Sequence, residues 1–410
     1  MAYDSAHTMQ FKQHAYPVTD RWCVHSYYTL CPYAPDGSGR ILIAGVDLKT
    51  GIGEVLILNA DGHVIDRFGQ NKITPSFWHT GFWQSWSPQG RYVYYQAGTL
   101  ISPILVRREL DTGLELTLHA EMEGIPPSGE PGLSCHHGLL YAAGYGDDQF
   151  KPDQAPVPFQ ARDQHGISSV TFDPPCIKQI LTIEQILARH PYGIPHRSKI
   201  LQADHEIKKR LGANDGLTLM TYCVRWNFDG SRFLFYFGNH CVAKERKEPR
   251  ISYVFTADRQ RNDIHLAIDL SFGKPGVHWG WQPDGEKLIG YGPDPNSPTH
   301  MCLAEVRYDG SDYRKLSDHC SGGHPSVCPA DSNLIVTDQG GPNQGVVFIS
   351  RKTGCQIAHI PLLKFIGEHE ASGRNALRVC HHPVFNHEGN RVLCNTLSTT
   401  HATLTEIILP

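Results

Sequence analysis

A seven-bladed β-propeller is the fold class predicted for this chain of 410 residues. Three observations carry that expectation. A strand–turn–strand unit recurs along the chain. Apart from one wider gap, its successive turns lie about 50 to 55 residues apart. Second turns, DLKTG, LDTG, RYDGS and SRKTG, fall between them. Two hairpins per period make four strands, the size of one propeller blade.

The units follow in chain order. CPYAPDGSGRILIAG opens the series, and SWSPQGRYVYYQAG comes second. LSCHHGLLYAAGYG is the weakest and stands for the third. RWNFDGSRFLFYFG, GWQPDGEKLIGYG, SVCPADSNLIVTD and VFNHEGNRVLCNT complete the set. Each is an apolar strand, a turn with an acidic or amide residue before a small one, and a strand of β-branched and aromatic residues. Asp-Gly and its relatives accept the backbone angles of tight hairpins. The wide gap spans 151–216 and begins with the proline-rich KPDQAPVPFQARDQ. IEQILARHP and HEIKKRLGAND then carry apolar residues at the spacing of short helices. The expectation is one propeller domain over 1–410, with a partly helical insertion after blade three at 151–216.

Composition narrows the partners. Net charge is −4, with no basic stripe, so neither nucleic acid nor an anionic membrane is an expected partner. No apolar run reaches the roughly 20 residues that span a bilayer. The first residues, MAYDSAHTMQ, do not read as a signal peptide, which favours a cytoplasmic chain unless a signal has been removed. Twelve cysteines include no C-x-x-C pair. Those in strands, Cys31, Cys135, Cys223, Cys328, Cys380 and Cys394, read as small buried apolar side chains.

Twenty-four histidines are the compositional oddity. Counting back five residues from the turn proline, or its equivalent, lands on His278, His324 and His382 in three consecutive units. The same count gives Trp83 and Cys223 earlier in the chain. On innermost strands, equal register points equal positions into the central channel. Three imidazoles can then converge as a metal site, as an acid–base cluster, or as a water-lined polar wall. Imidazole suits manganese, zinc, iron or nickel, whereas calcium wants oxygen ligands. His25, His79, the pair His136 and His137, Arg225 and Arg378 lie near the same strand entrances, with Tyr27, Tyr28, Trp78, Trp83 and Trp279 beside them.

The pattern H-x-x-x-x-P-x-D with LIVTD in the sixth unit, then R-x-x-x-H-P and an E-G turn in the seventh, resembles the propeller uronate lyases. The resemblance covers about residues 20 to 400. His25 and the histidine-bearing second unit look most like the rhamnose-α-1,4-glucuronate lyases of polysaccharide lyase family 42, formerly glycoside hydrolase family 145. Oligogalacturonate and ulvan lyases are related. The resemblance implies β-elimination at a uronic acid in an oligosaccharide or polysaccharide such as gum arabic. It implies His79 and His25 as proton-transfer groups and Arg225 on the uronate carboxylate. Tyr27, Trp78, Trp83, His137 and Arg378 would bind sugar. Oligogalacturonate lyases hold manganese with late-blade histidines and a glutamine; His278, His324 and His382 fall in comparable places, but Arg378 stands near where the glutamine would be. Family 42 implies a structural calcium instead. Hydrolysis of the rhamnosyl bond and a non-catalytic protein-binding propeller are the alternatives, and a monomer is expected.

Overall fold

A computed structural model describes residues 11–16, 18, 20–73, 77–99, 102–135, 162–189, 195–213, 216–239, 247–366, 377–398 and 401–410. Six four-stranded antiparallel sheets and one three-stranded sheet are the blades of a seven-bladed propeller. Blade one runs Trp22–Val24, Ile41–Asp47, Ile52–Leu58 and Val64–Lys72. Blade two begins at Ser85–Trp86, blade four at Met220–Trp226, blade five at Val277–Trp281 and blade six at Ser326–Val327. Blade seven contributes Val384–Phe385, Arg391–Leu397 and Ala402–Ile408. Its fourth strand comes from the other end of the chain: Lys12–Tyr16 pairs antiparallel with Ala402–Ile408 and closes the ring.

The strands are apolar on both faces because each blade packs between two others. One apolar cluster fills each seam between neighbouring blades. An eighth, Tyr27, Tyr28, Leu30, Trp83 and Val384, lies on the axis. Burial of such side chains, worth about 1.5–3 kcal/mol each, is what holds one blade to the next.

Blade three departs from the expected pattern. Its three described strands are Gly132–Cys135, Gly166–Phe172 and Pro175–Thr182. Two of them fall inside the 151–216 stretch expected as insertion, so the helical part narrows to Ile183–Arg189 and Arg197–Leu211. Its inner turn is also earlier than expected. Gly129 N–H donates to the Pro126 carbonyl at 2.8 Å, as Gly90 does to Ser87 at 2.9 Å and Gly285 to Gln282 at 3.0 Å. SCHHG is therefore not the blade-three turn, and its His136 and His137 lie outside the described residues. Among the described residues the cysteines form no disulfide, and no helix is long and apolar enough to cross a membrane. Cys135, Cys223, Cys328, Cys380 and Cys394 are buried as expected, and Cys31 is partly so.

Candidate functional site

The inner turns fix a common register. Each is closed by a backbone hydrogen bond from one equivalent residue: Ala34, Ser87, Asn227, Gln282, Cys328 and Asn386, at 2.8–2.9 Å. Pro126 holds that place in blade three. Four residues before these stand Leu30, Trp83, Met122, Cys223, His278, His324 and His382. The inner ring is thus apolar over blades one to four and imidazole over blades five to seven.

The backbone aims these side chains. Trp83, Cys223, His278 and His382 have left-handed φ values of 53°, 50°, 58° and 44°. Such angles are rare for residues with a Cβ and cost about 1–3 kcal/mol. In blades four and five the residue opens a β-bulge, where the ladder shifts between Tyr222 and Arg225 and between Val277 and Gly280. A bulge turns one side chain out of the strand's alternation. Here it turns it towards the axis.

His278, His324 and His382 form a row with His324 in the middle, 4.1 Å from His278 and 4.2 Å from His382 between ring centroids. His79 lies 4.6 Å from His382. Every ring of the row has an oxygen at Nδ1. Asp338 Oδ1 is 2.9 Å from that of His324, and the Gly322 and Gly323 carbonyls are each 2.9 Å from that of His278. The Ser26 carbonyl lies 3.3 Å from His382 Nδ1. A carbonyl only accepts, so Nδ1 carries the proton and Nε2 keeps its lone pair. The Nε2 atoms of His324 and His382 are buried without a hydrogen-bond partner. Burial, then the neighbouring His324, pulls the pKa of His278 and His382 well below the usual imidazole value. The neutral rings of His278 and His382, with the lone pair on Nε2, and His324 backed by a carboxylate are the kind of set that can take a divalent cation. Asp338 is itself fully buried; against the opposing effect of burial, His324 and then Lys364 hold its carboxyl well below the usual range.

The segment Ser26–Leu30 crosses the channel beneath this row. Tyr27 lies 4.8 Å from His382 and 5.2 Å from Trp83, and Tyr28 lies 5.1 Å from His324. Arg225 sits under both tyrosines, 5.1 Å and 5.6 Å from their rings. Its guanidinium is paired with the buried Glu123 carboxylate and donates to the Trp279 carbonyl at 2.8 Å. Thr29 Oγ1 donates to Glu123 at 2.7 Å, which ties the crossing segment to that pair. Beyond Tyr28, towards the inner turns, opens a chamber of about 550 Å³.

Tyr27, Trp83 and His79 therefore join the three register histidines in one cluster. His25 is its outermost member, 6.4 Å from His382 and with no accessible surface. Burial pulls its pKa to about 4. Trp78 goes elsewhere and packs against Trp22 and Phe77 in the seam between blades one and two. Arg225, expected on a substrate carboxylate, has a carboxylate of the protein itself as partner. His137 and the side chain of Arg378 lie outside the described residues. Sequence reasoning did not single out Cys380, whose Sγ is 3.0 Å from His79 Nδ1, nor Asp338 or Glu123. His79, Cys380 and His382 place one ligand atom each within 4.8 Å of the others. Asp338 was within reach of that reasoning, because it ends the LIVTD motif.

No family model matches the chain, and no curated protein matches it either. Solved structures do. An oligogalacturonate lyase from Vibrio parahaemolyticus is similar over 98% of this chain and 97% of its own, with a TM-score of 0.61 and 13% identity. An oligogalacturonate lyase in complex with manganese is similar over 100% and 99%, with a TM-score of 0.61 and 16% identity. The β-propeller domain of a trilobed protease from Pyrococcus furiosus reaches a TM-score of 0.50 at 10% identity over 95% of this chain and 96% of its own. At these identities the likeness is one of fold.

Proposed function

We propose that this protein is a lyase that cleaves the 4-linked bond to a uronic acid in an oligosaccharide, with a divalent cation held among its channel histidines. The observation that carries the reading is the row His278, His324 and His382. Three blades set imidazoles at one register, each with an oxygen on Nδ1. The full-length likeness of fold to oligogalacturonate lyases, one of them a manganese complex, supports it. A rhamnosyl-α-1,4-glucuronate end is the first choice of substrate, on the family 42 resemblance, and an oligogalacturonate is the second.

β-Elimination takes the proton from C5, breaks the C4–O bond with protonation of the leaving oxygen, and leaves a C4=C5 double bond. When bound, the cation would neutralise the uronate carboxylate and make the C5 proton more acidic. His324 and His382 would hold it, since their buried Nε2 atoms have no other partner. His278 is the half-buried member of the row. Its Nε2, with Nδ1 held by the two carbonyls, would take the C5 proton. Tyr27 and Trp83, buried and 5.2 Å apart between ring centroids, form the apolar wall beside the row. The buried His25 supports the row from behind, His79 lies beside Cys380 and next to His382, and Arg225 with Glu123 fixes the tyrosines.

The test is a panel of rhamnosyl-glucuronate, ulvan and oligogalacturonate fragments with the metal-loaded protein. The absorbance of an unsaturated uronate, lost in His278→Ala, is the expected result. A saturated glucuronate end with released rhamnose would mean hydrolysis and overturn the lyase reading.

A further inference from the structure

We infer that the cation of this pocket is a thiophilic one, zinc-like and not manganese-like, and that the Cys380 thiolate binds it together with His79 and His382. The inference rests on the reading of a metal in the channel, but it completes the ligand set around His382, which that reading gives only with His324, and it names a metal class which that reading leaves open. Geometry is the first ground. Among the described residues, these three side chains are the group of metal-ligating types whose ligand atoms all lie within 4.8 Å of one another. On a tetrahedral ion with bonds of about 2.0–2.1 Å to nitrogen and about 2.3 Å to sulfur, ligand atoms stand roughly 3.3–3.6 Å apart. The His79 Nδ1 to Cys380 Sγ separation of 3.0 Å is that of a hydrogen bond and about half an ångström shorter than a nitrogen–sulfur pair takes on such an ion, so metal binding would replace that hydrogen bond and part the two atoms slightly.

The second ground is the buried Nε2 of His382, which has no hydrogen-bond partner while Nδ1 faces the Ser26 carbonyl. The third is charge. Asp338 is completely buried, and its Oδ2 has no hydrogen bond, with Lys364 Nζ 4.0 Å away. That carboxylate reaches the site through His324, whose ring is 4.2 Å from that of His382. A divalent ion with one thiolate ligand leaves one positive charge, and the Asp338 carboxylate, which it would share with Lys364, offsets part of it. Thiolate selects zinc, copper(I) and iron, whereas manganese takes carboxylate, carbonyl and water oxygen. Binding forms the sulfur–metal bond as the thiol loses its proton to solvent; no electron is transferred.

The experiment uses the full chain, stripped with a chelator and reloaded in separate arms with zinc, manganese or cobalt(II). Ions retained after gel filtration are counted by elemental analysis, and the cobalt form is read in the near ultraviolet. Zinc held in preference to manganese is the expected result, with a thiolate-to-cobalt charge-transfer band. That band should disappear in Cys380→Ser, whose zinc affinity should fall at least ~10-fold. Cys394→Ser, a buried thiol of the same blade outside the ligand set, should keep both, and circular dichroism should show that both variants fold. If manganese is retained in preference to zinc, the cobalt form lacks the band and Cys380→Ser binds as wild type does, the inference is wrong and the metal reading stands. If no ion is retained in any arm, both fall.

Discussion

The two sides of the inner ring share a backbone and differ in side chain. Trp83 and Cys223 on one side, His278 and His382 on the other, all take left-handed φ values at the same count from the turn. The bulge that aims Cys223 in blade four recurs at His278 in blade five. Left-handed backbone thus occurs at four of the seven ring positions, two on each side, and does not follow the chemistry. What sets blades five to seven apart is the oxygen placed on Nδ1 of each imidazole: two glycine carbonyls, Asp338, and the Ser26 carbonyl. On the apolar side Trp83 packs on Tyr27, and Leu30 and Met122 belong to packed clusters. One half of the ring thus holds the channel together, and the other half carries Nε2 lone pairs.

The contrast can be broken from either side. The largest effect is expected at His278, where alanine should lower kcat by about 10²–10⁴, the usual worth of a positioned proton acceptor, with KM and bound metal little changed. Steady-state kinetics with metal analysis checks this. A KM rise alone would move His278 into binding.

The next effect is on stability and falls on the packed side. Arg225→Ala should destabilise the fold by about 3–5 kcal/mol in urea, because Glu123 is left buried and unpaired. Arg225→Met combined with Glu123→Leu should recover most of the loss. A stable single mutant with raised KM would return Arg225 to the substrate carboxylate.

The third sharpens the histidine side by pH. Burial pulls His25 and His381 to about 4 in the folded chain, from an ordinary value of 6.5. Between those values the unfolded chain binds protons that the folded chain does not. Stability of the metal-free protein is thus full above pH 6.5 and falls as pH drops towards 4, by roughly 3 kcal/mol for each ring. Urea midpoints across that range test it. A flat profile would mean that the rings are not held neutral. The smallest effect belongs to Met122→Leu on the apolar side, which should cost under ~1.5 kcal/mol and leave the metal content unchanged.

How much of this was legible follows from which features repeat. Turn chemistry repeats, so the blades could be counted. The turn prolines set the register, so His278, His324 and His382 could be grouped by counting residues alone. Blade three hid its turn because Ile125–Pro126–Pro127–Ser128 lacks both the aromatic strand ahead of it and the Asp-Gly pair. Trp78 looked like a channel residue because it precedes His79. Both lie on the short helix Phe77–Thr80, where consecutive residues point about 100° apart. Partners that lie far apart along the chain had no local signal. Arg225 meets Glu123 across 102 residues, and His79 meets Cys380 across 301. Cys380 read as one more buried strand thiol, since nothing in its neighbourhood marks the imidazole that faces it.

The central claim is that the imidazole half of the ring is a metal-dependent uronate lyase site. The most direct measurement is product absorbance from a rhamnosyl-glucuronate or oligogalacturonate substrate, followed before chelation, after chelation and after metal is restored. The account expects an unsaturated uronate that forms with the loaded protein, stops on chelation, returns with metal, and does not form with His324→Ala combined with His382→Ala. Elimination that persists after complete metal removal, or in that double variant in its folded state, would contradict it.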